Sequence, residues 1–105
     1  MKKKSNTYEV MPEVGMVVTV SVGSDRYPGT VIQVTQNGRR VVFQYDLYKR
    51  IDSNGMSESQ TYEFSPDPNG RTEIATLRKD GRYRITGSKT PVHIGSRSAY
   101  YDFSF

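Results

Sequence analysis

The 105-residue chain has no cysteine, no tryptophan and a single histidine. Without cysteine there is no thiolate nucleophile, no disulfide and no sulfur ligand set, and a small fold that does without disulfides suits a reducing compartment. His93 stands between Val92 and Ile94 with no carboxylate or second imidazole at metal-ligand spacing, so the usual transition-metal sets are excluded. No apolar run approaches the roughly 20 residues that span a bilayer, and the N-terminus lacks the apolar stretch of a secretory signal; no membrane association is expected. Also missing are a Gly-x-Ser-x-Gly elbow and a glycine-rich phosphate loop. Asp25, Asp46 and Glu63 remain as candidates for metal-assisted hydrolysis, but carboxylates beside turns ordinarily cap or solvate them. The reading is therefore non-enzymatic, with no cofactor and no metal.

Apolar residues nowhere hold a helical period over a long window, which leaves an all-β domain. Its strongest signal is VGMVVTVSVGSDRYPGTVIQVTQNGRRVVFQYD, Val14 to Asp46, where β-branched residues cluster at 17–22, 31–34 and 41–43 with turn residues between. Gly23-Ser24-Asp25 closes the first strand. Arg26-Tyr27-Pro28-Gly29 leads into the second, and Pro28, which cannot donate to a ladder, is expected at a strand entrance or an edge. Asn37-Gly38 marks a hairpin in one of two registers. A two-residue turn pairs Gln36 with Arg39 and sets Ile32 beside Phe43; a three-residue turn with a glycine bulge pairs Thr35 with Arg39 and sets Val31 beside Phe43. A short strand is expected around Gln60 to Phe64. Arg78-Lys79-Asp80-Gly81-Arg82 then forms a three-residue turn with Gly81 left-handed, so that Leu77 opposes Tyr83 and Ala75 opposes Ile85 on one face, while Arg78 opposes Arg82 and Thr76 opposes Arg84 on the other.

These elements compose one domain over residues 8–105 behind a basic tail at 1–7: a barrel core at 14–64, an arginine-bearing hairpin at 71–86 and a docking segment at 91–105. The net charge of +4 is unevenly spread. After the tail and up to residue 70, Arg26, Arg39, Arg40, Lys49 and Arg50 are outnumbered by carboxylates. From residue 71 onward, Arg71, Arg78, Lys79, Arg82, Arg84, Lys89 and Arg97 face only Glu73, Asp80 and Asp102.

Two resemblances follow from these segments. Val14-Gly15-Met16, then Asp25 to Val31, then Val41, Phe43, Tyr45 and Asp46 resembles the Tudor and SH3-like small barrel, which implies a small barrel extended here by a second hairpin and an aromatic C-terminal segment. Arg26 stands where that family commonly has Trp, so one wall of its aromatic methyl-cation cage is missing. Across nearly the whole chain, SDRYPGTV, KRIDSNGMSESQ, SPDPNG and YYDFSF are similar to a family of small proteins carried by tailed bacteriophages. That resemblance implies a phage gene expressed in the cytoplasm of a bacterial host, and it brings no activity with it.

Three partner classes are open. Arg78, Arg82 and Arg84 with Lys79 and Arg71 present guanidinium forks suited to phosphate, so nucleic acid or a small or cyclic nucleotide fits the arginine face, with sequestration of a host nucleotide signal as one use. The alternative on that face is internal neutralisation by Glu58, Glu63 and Glu73. A second class is an inhibitor or adaptor covering a host protein through a tyrosine-rich surface. Its stacking or interface residues are Tyr45, Leu47 and Tyr48, with Tyr27 and Tyr83. The third is self-assembly through Tyr100, Tyr101, Phe103 and Phe105, four large aromatics in six residues.

Overall fold

A computed structural model describes residues 11–57 and 59–95. The basic tail and the aromatic cluster Tyr100, Tyr101, Phe103 and Phe105 lie outside the described residues. The strands are β1 (Val17–Val22), β2 (Asp25–Thr35), β3 (Arg40–Tyr45), β4 (Leu47–Arg50), β5 (Tyr62–Ser65), β6 (Thr72–Leu77), β7 (Tyr83–Ile85) and β8 (Pro91–Ile94). The chain is all-β, as its composition and turn pattern imply. Six strands close a barrel in the order β1-β2-β3-β6-β7-β8, every neighbouring pair antiparallel, and β4 with β5 forms a separate two-stranded ribbon. Among the described residues no helix is long and apolar enough to cross a membrane.

Alternation along each strand fills the barrel. Val18 and Val20 of β1, Val31 of β2, Val41 and Phe43 of β3, Ala75 of β6 and Val92 of β8 point inward and are buried. Cross-strand pairs carry this inner ring around the closure, from Val20 opposite Val92 to Val92 opposite Tyr83 and Leu77 opposite Tyr83. Phe43 is the largest fully buried side chain. Space for its ring exists because the diagonal neighbour on β2 is Gly29, opposite Tyr45 on β3 and Val18 on β1, where a Cβ would lie 3.1 Å from Cδ2 of Phe43 and 3.0 Å from Cγ2 of Val18.

The hairpin at 78–82 has the pairing its sequence implies. Leu77 opposes Tyr83, Ala75 opposes Ile85 and Thr76 opposes Arg84, with Gly81 at φ 83° and the Arg78 amide bonded to the Arg82 carbonyl at 2.8 Å. The Asn37-Gly38 hairpin follows neither proposed turn. Thr35 pairs with Arg40 across a four-residue connection in which Gln36, Asn37 and Gly38 all take positive φ. A bulge at Ile32 then shifts the register so that Val31 nevertheless opposes Phe43. β2 also begins earlier than the apolar pattern suggests, at Asp25, because pairing with β1 extends through Arg26 and Tyr27. Pro28 consequently lies inside β2 rather than at its entrance. Its ring is tolerated because it stands at the end of the β2–β3 ladder, where its carbonyl still accepts from the Asp46 amide at 3.0 Å and its missing N–H forgoes only the terminal bond.

The two ends of the barrel differ. One carries the 36–39 and 78–82 turns, packed beneath by Met11 and Pro12 against buried Gly38. At the other end the chain leaves β3 at Asp46, builds the ribbon, and returns to β6 through the Pro66 to Gly70 turn.

Candidate binding surfaces

The ribbon is set by a hinge at Asp46. That carboxylate is buried, its Oδ1 accepting from the Thr30 hydroxyl at 2.6 Å while its amide holds Pro28, so the chain turns sharply out of the barrel after Tyr45. Directly opposed residues of an antiparallel pair share a face. Tyr48 opposite Phe64 and Arg50 opposite Tyr62 therefore make one face, and Leu47 opposite Ser65 and Lys49 opposite Glu63 make the other. On the first face the rings of Tyr48 and Tyr62 meet edge-on at 5.5 Å, and Tyr62 and Phe64 lie 6.4 Å apart. Burial pushes the Tyr48 phenol up, and the nearby Tyr62 and Asp25 add to that shift, which places the acidic start of β2 beside this aromatic face.

Asp52 locks the ribbon's far end. Its Oδ2 accepts from Arg50 Nε at 2.9 Å and from the Thr61 amide at 2.6 Å, and its Oδ1 accepts from the Asn54 amide at 2.9 Å. These donors hold its carboxyl well below the usual carboxylate range, the Arg50 guanidinium contributing most. The rest of the ribbon is open. Leu47, Tyr48, Ile51 and Met56 are 56%, 42%, 50% and 73% exposed. A groove of about 600 Å³ runs along it, lined by Leu47, Tyr48, Lys49, Glu63, Phe64 and Ser65.

The other tyrosines of the interface set are placed differently. Tyr45 turns inward at the ribbon end of the barrel, edge-on to Phe43 at 5.4 Å, with the Arg71 guanidinium 5.1 Å from its ring centre. Burial raises its phenol, a shift opposed by Arg71 and reinforced by Glu73. Tyr27 packs inward against the core. Tyr83 is also turned in, at the opposite end, and its hydroxyl donates to the Gly38 carbonyl. Only Leu47 and Tyr48 of the set are exposed, on opposite faces of the ribbon; Tyr62 and Phe64, both half-buried, share the face of Tyr48. The Tyr62-x-Phe64 alternation was the available signal for those two, since it gives both rings the same side of a strand.

The arginine face divides in a similar way. Arg78 lies across β7 and donates from Nη2 to the carbonyls of Ile85 at 2.9 Å and Ser88 at 2.7 Å. Arg84 pairs with Asp80 at 2.9 Å, and Arg71 approaches Glu73 at 3.4 Å. Asp80 is held below its ordinary value first by the Arg82 amide and then by Arg84. Lys79 and Arg82 are exposed at the turn. Glu73 thus neutralises Arg71, whereas Glu63 lies on the ribbon opposite Lys49.

Asp25, Asp46 and Glu63 are carried by the start of β2, the hinge and the ribbon respectively. Among the described residues no group of three or more histidines and carboxylates stands close enough to hold a metal ion. Comparison with family models, with curated proteins and with solved structures finds no match to this chain.

Proposed function

We propose that this chain is a non-enzymatic small-barrel binding module of phage type, acting in the cytoplasm of a bacterial host by covering a partner protein with its β4–β5 ribbon. The observation that carries this reading is the exposure of Leu47 and Tyr48, one on each face of a ribbon that contributes no strand to the barrel, and of Ile51 and Met56 in the connection between its strands. Large apolar side chains left exposed on an excursion outside the core mark interaction surfaces, because covering them releases water. The neighbouring Tyr62 and Phe64 are already ordered by ring contacts, so their immobilisation on binding costs little further entropy. Lys49 and Glu63, opposed across the ribbon, add one charge of each sign to the lining of the groove.

The reading that placed an anion on the arginine hairpin as a whole is weakened by the engagement of Arg78, Arg84 and Arg71. Capture of a host protein by the intact chain tests the ribbon. The paired change Leu47→Ser and Tyr48→Ala abolishes capture while leaving the melting temperature within a few degrees, and Lys79→Ala with Arg82→Ala leaves capture intact. Capture indifferent to the ribbon variant overturns the proposal.

A further inference from the structure

The pairing of β3 with β6 brings together basic residues that are far apart in sequence. Arg40 lies opposite Thr76, and Thr76 lies opposite Arg84, so a row runs Thr35, Arg40, Thr76, Arg84 across four adjacent strands. With neighbouring strands about 4.8 Å apart, Arg40 and Arg84 stand within about 10 Å of one another. Arg39 joins them at the adjoining turn, where its carbonyl accepts from the Leu77 amide at 2.8 Å, and Lys79 and Arg82 complete the cluster from the neighbouring turn. Arg39, Lys79 and Arg82 are exposed and Arg40 is half-buried. Among the described residues the carboxylates at this end are Asp80, which is held by Arg84, and Glu13. Among the described residues none of Arg39, Arg40, Lys79 and Arg82 has a carboxylate within ion-pair distance. The opposite end is mixed: Asp25, Asp52, Asp67, Glu63 and Glu73 accompany Arg26, Lys49, Arg50, Arg71 and Lys89.

We infer that this turn end of the barrel, through Arg39, Arg40, Lys79 and Arg82, binds the phosphate backbone of double-stranded DNA without reading its sequence. Clustered like charges repel one another unless an anion lies across them, and among the described residues no carboxylate is within ion-pair distance of these four. The exposed amides of Gln36 and Asn37 at the tip and the Thr35 hydroxyl beside Arg40 add the neutral donors that accompany basic groups on phosphates. A single-stranded partner would require exposed rings for its bases to stack on. The ring nearest this cluster, Tyr83, is turned inward with its hydroxyl on Gly38. An ordered array of phosphates is the partner that fits an open, basic surface on which the described residues present no outward ring. This inference is independent of the ribbon, which leaves the barrel at the other end.

Titration of the intact chain with a 20-base-pair DNA duplex, followed by fluorescence anisotropy in 50 and 200 mM salt, tests it. About four phosphate contacts give a log–log salt slope of about −3.6, a loss of affinity of about a hundredfold between the two conditions. The triple variant Arg39→Ala, Lys79→Ala, Arg82→Ala, confined to exposed side chains, reduces the slope to about −0.9, while Arg39→Lys with Arg82→Lys keeps most of it. Arg26→Ala with Lys49→Ala, at the other end, and the ribbon variant Leu47→Ser, Tyr48→Ala bind as the parent does. Melting curves confirm that each variant is folded. Three results overturn the inference: no duplex binding at 50 mM salt, unchanged binding by the triple variant, or tighter binding to the single strand or to anionic phospholipid vesicles than to the duplex.

Discussion

Gly29 on β2 lies diagonal to Phe43 on the neighbouring β3, so closely that any Cβ at position 29 would stand 3.1 Å from the ring, 3.0 Å from Val18 and 3.0 Å from the backbone oxygen of Gln44. The first two neighbours are fully buried, and the third is backbone that cannot rotate away. Gly29→Ala therefore overpacks the core and costs about 1–3 kcal/mol. Urea denaturation registers this as a lower midpoint with an unchanged slope, since the surface exposed on unfolding is the same. A variant as stable as the parent shows that the Phe43 ring has room to move.

Arg78 and Arg82 lie on the same short hairpin and have opposite fates. Arg78→Ala leaves the carbonyls of Ile85 and Ser88 without their guanidinium donor and lowers stability by about 1.5–3 kcal/mol. Arg82→Ala, at an exposed turn position, changes stability by less than about 0.5 kcal/mol. Thermal unfolding of the two variants side by side checks this, and equal effects would show that Arg78 does not brace the 85–88 turn.

The legible and illegible parts of this chain divide along sequence separation. Gly81 announced its turn, and the register of Leu77 with Tyr83 followed because the whole hairpin is local. The Asn37-Gly38 hairpin was equally visible, but its register depends on a bulge at Ile32 that no turn residue signals. The expected core at 14–64 did not separate the ribbon from the barrel. β3 closes on β6 instead, a choice made by Val41 packing beside Ala75 across more than thirty residues. The same pairing hid Arg39 and Arg40, which read as part of an acidic first half until β3 was laid against β6. The fate of Arg78 was hidden for a related reason: its acceptors are backbone carbonyls, which every sequence has and none advertises.

Because β3 and β6 are neighbours, the ribbon is an excursion that the barrel does not need. The Tyr45 amide is bonded to the Arg71 carbonyl at 2.9 Å, and Gly70 lies against the Tyr45 carbonyl, so the two ends of the excursion already meet. Replacing residues 47–65 by Asn-Gly between Asp46 and Pro66 therefore yields a folded protein that retains the β-barrel circular dichroism spectrum and cooperative melting, and that fails to capture the ribbon's partner. Loss of cooperative melting would mean that the ribbon supports the barrel rather than projecting from it.

Asp52 gives the ribbon a defined response to acid. Its folded pKa lies below the unfolded value, so its contribution to order is fully present above the unfolded value of about 3.9 and is lost as pH falls through the depressed folded value. Carboxyl-carbon NMR should therefore show Asp52 still ionised at a pH where an aspartate of the unfolded chain has begun to protonate, and ribbon amide shifts should hold until Asp52 titrates. Asp52→Asn removes the Arg50 ion pair and the acid response together. An Asp52 midpoint in the ordinary carboxylate range would show that Arg50, Thr61 and Asn54 do not hold it in solution.

Gln36 is the one β2–β3 turn position where a long side chain is forced into the left-handed region, at φ 55°, beside Asn37 at φ 56°. Asn tolerates that conformation through local hydrogen bonding, whereas Gln lacks the short side chain that makes it favourable. Gln36→Gly therefore relieves about 1 kcal/mol of backbone strain, partly offset by the greater freedom glycine has in the unfolded chain. The expected outcome is a melting temperature raised by a few degrees. If Gln36 also donates to phosphate, the same variant binds the DNA duplex more weakly at 50 mM salt with an unchanged salt slope, because a neutral contact releases no counterion. A more stable protein with unaltered duplex affinity separates the two roles and leaves phosphate recognition to the basic side chains alone.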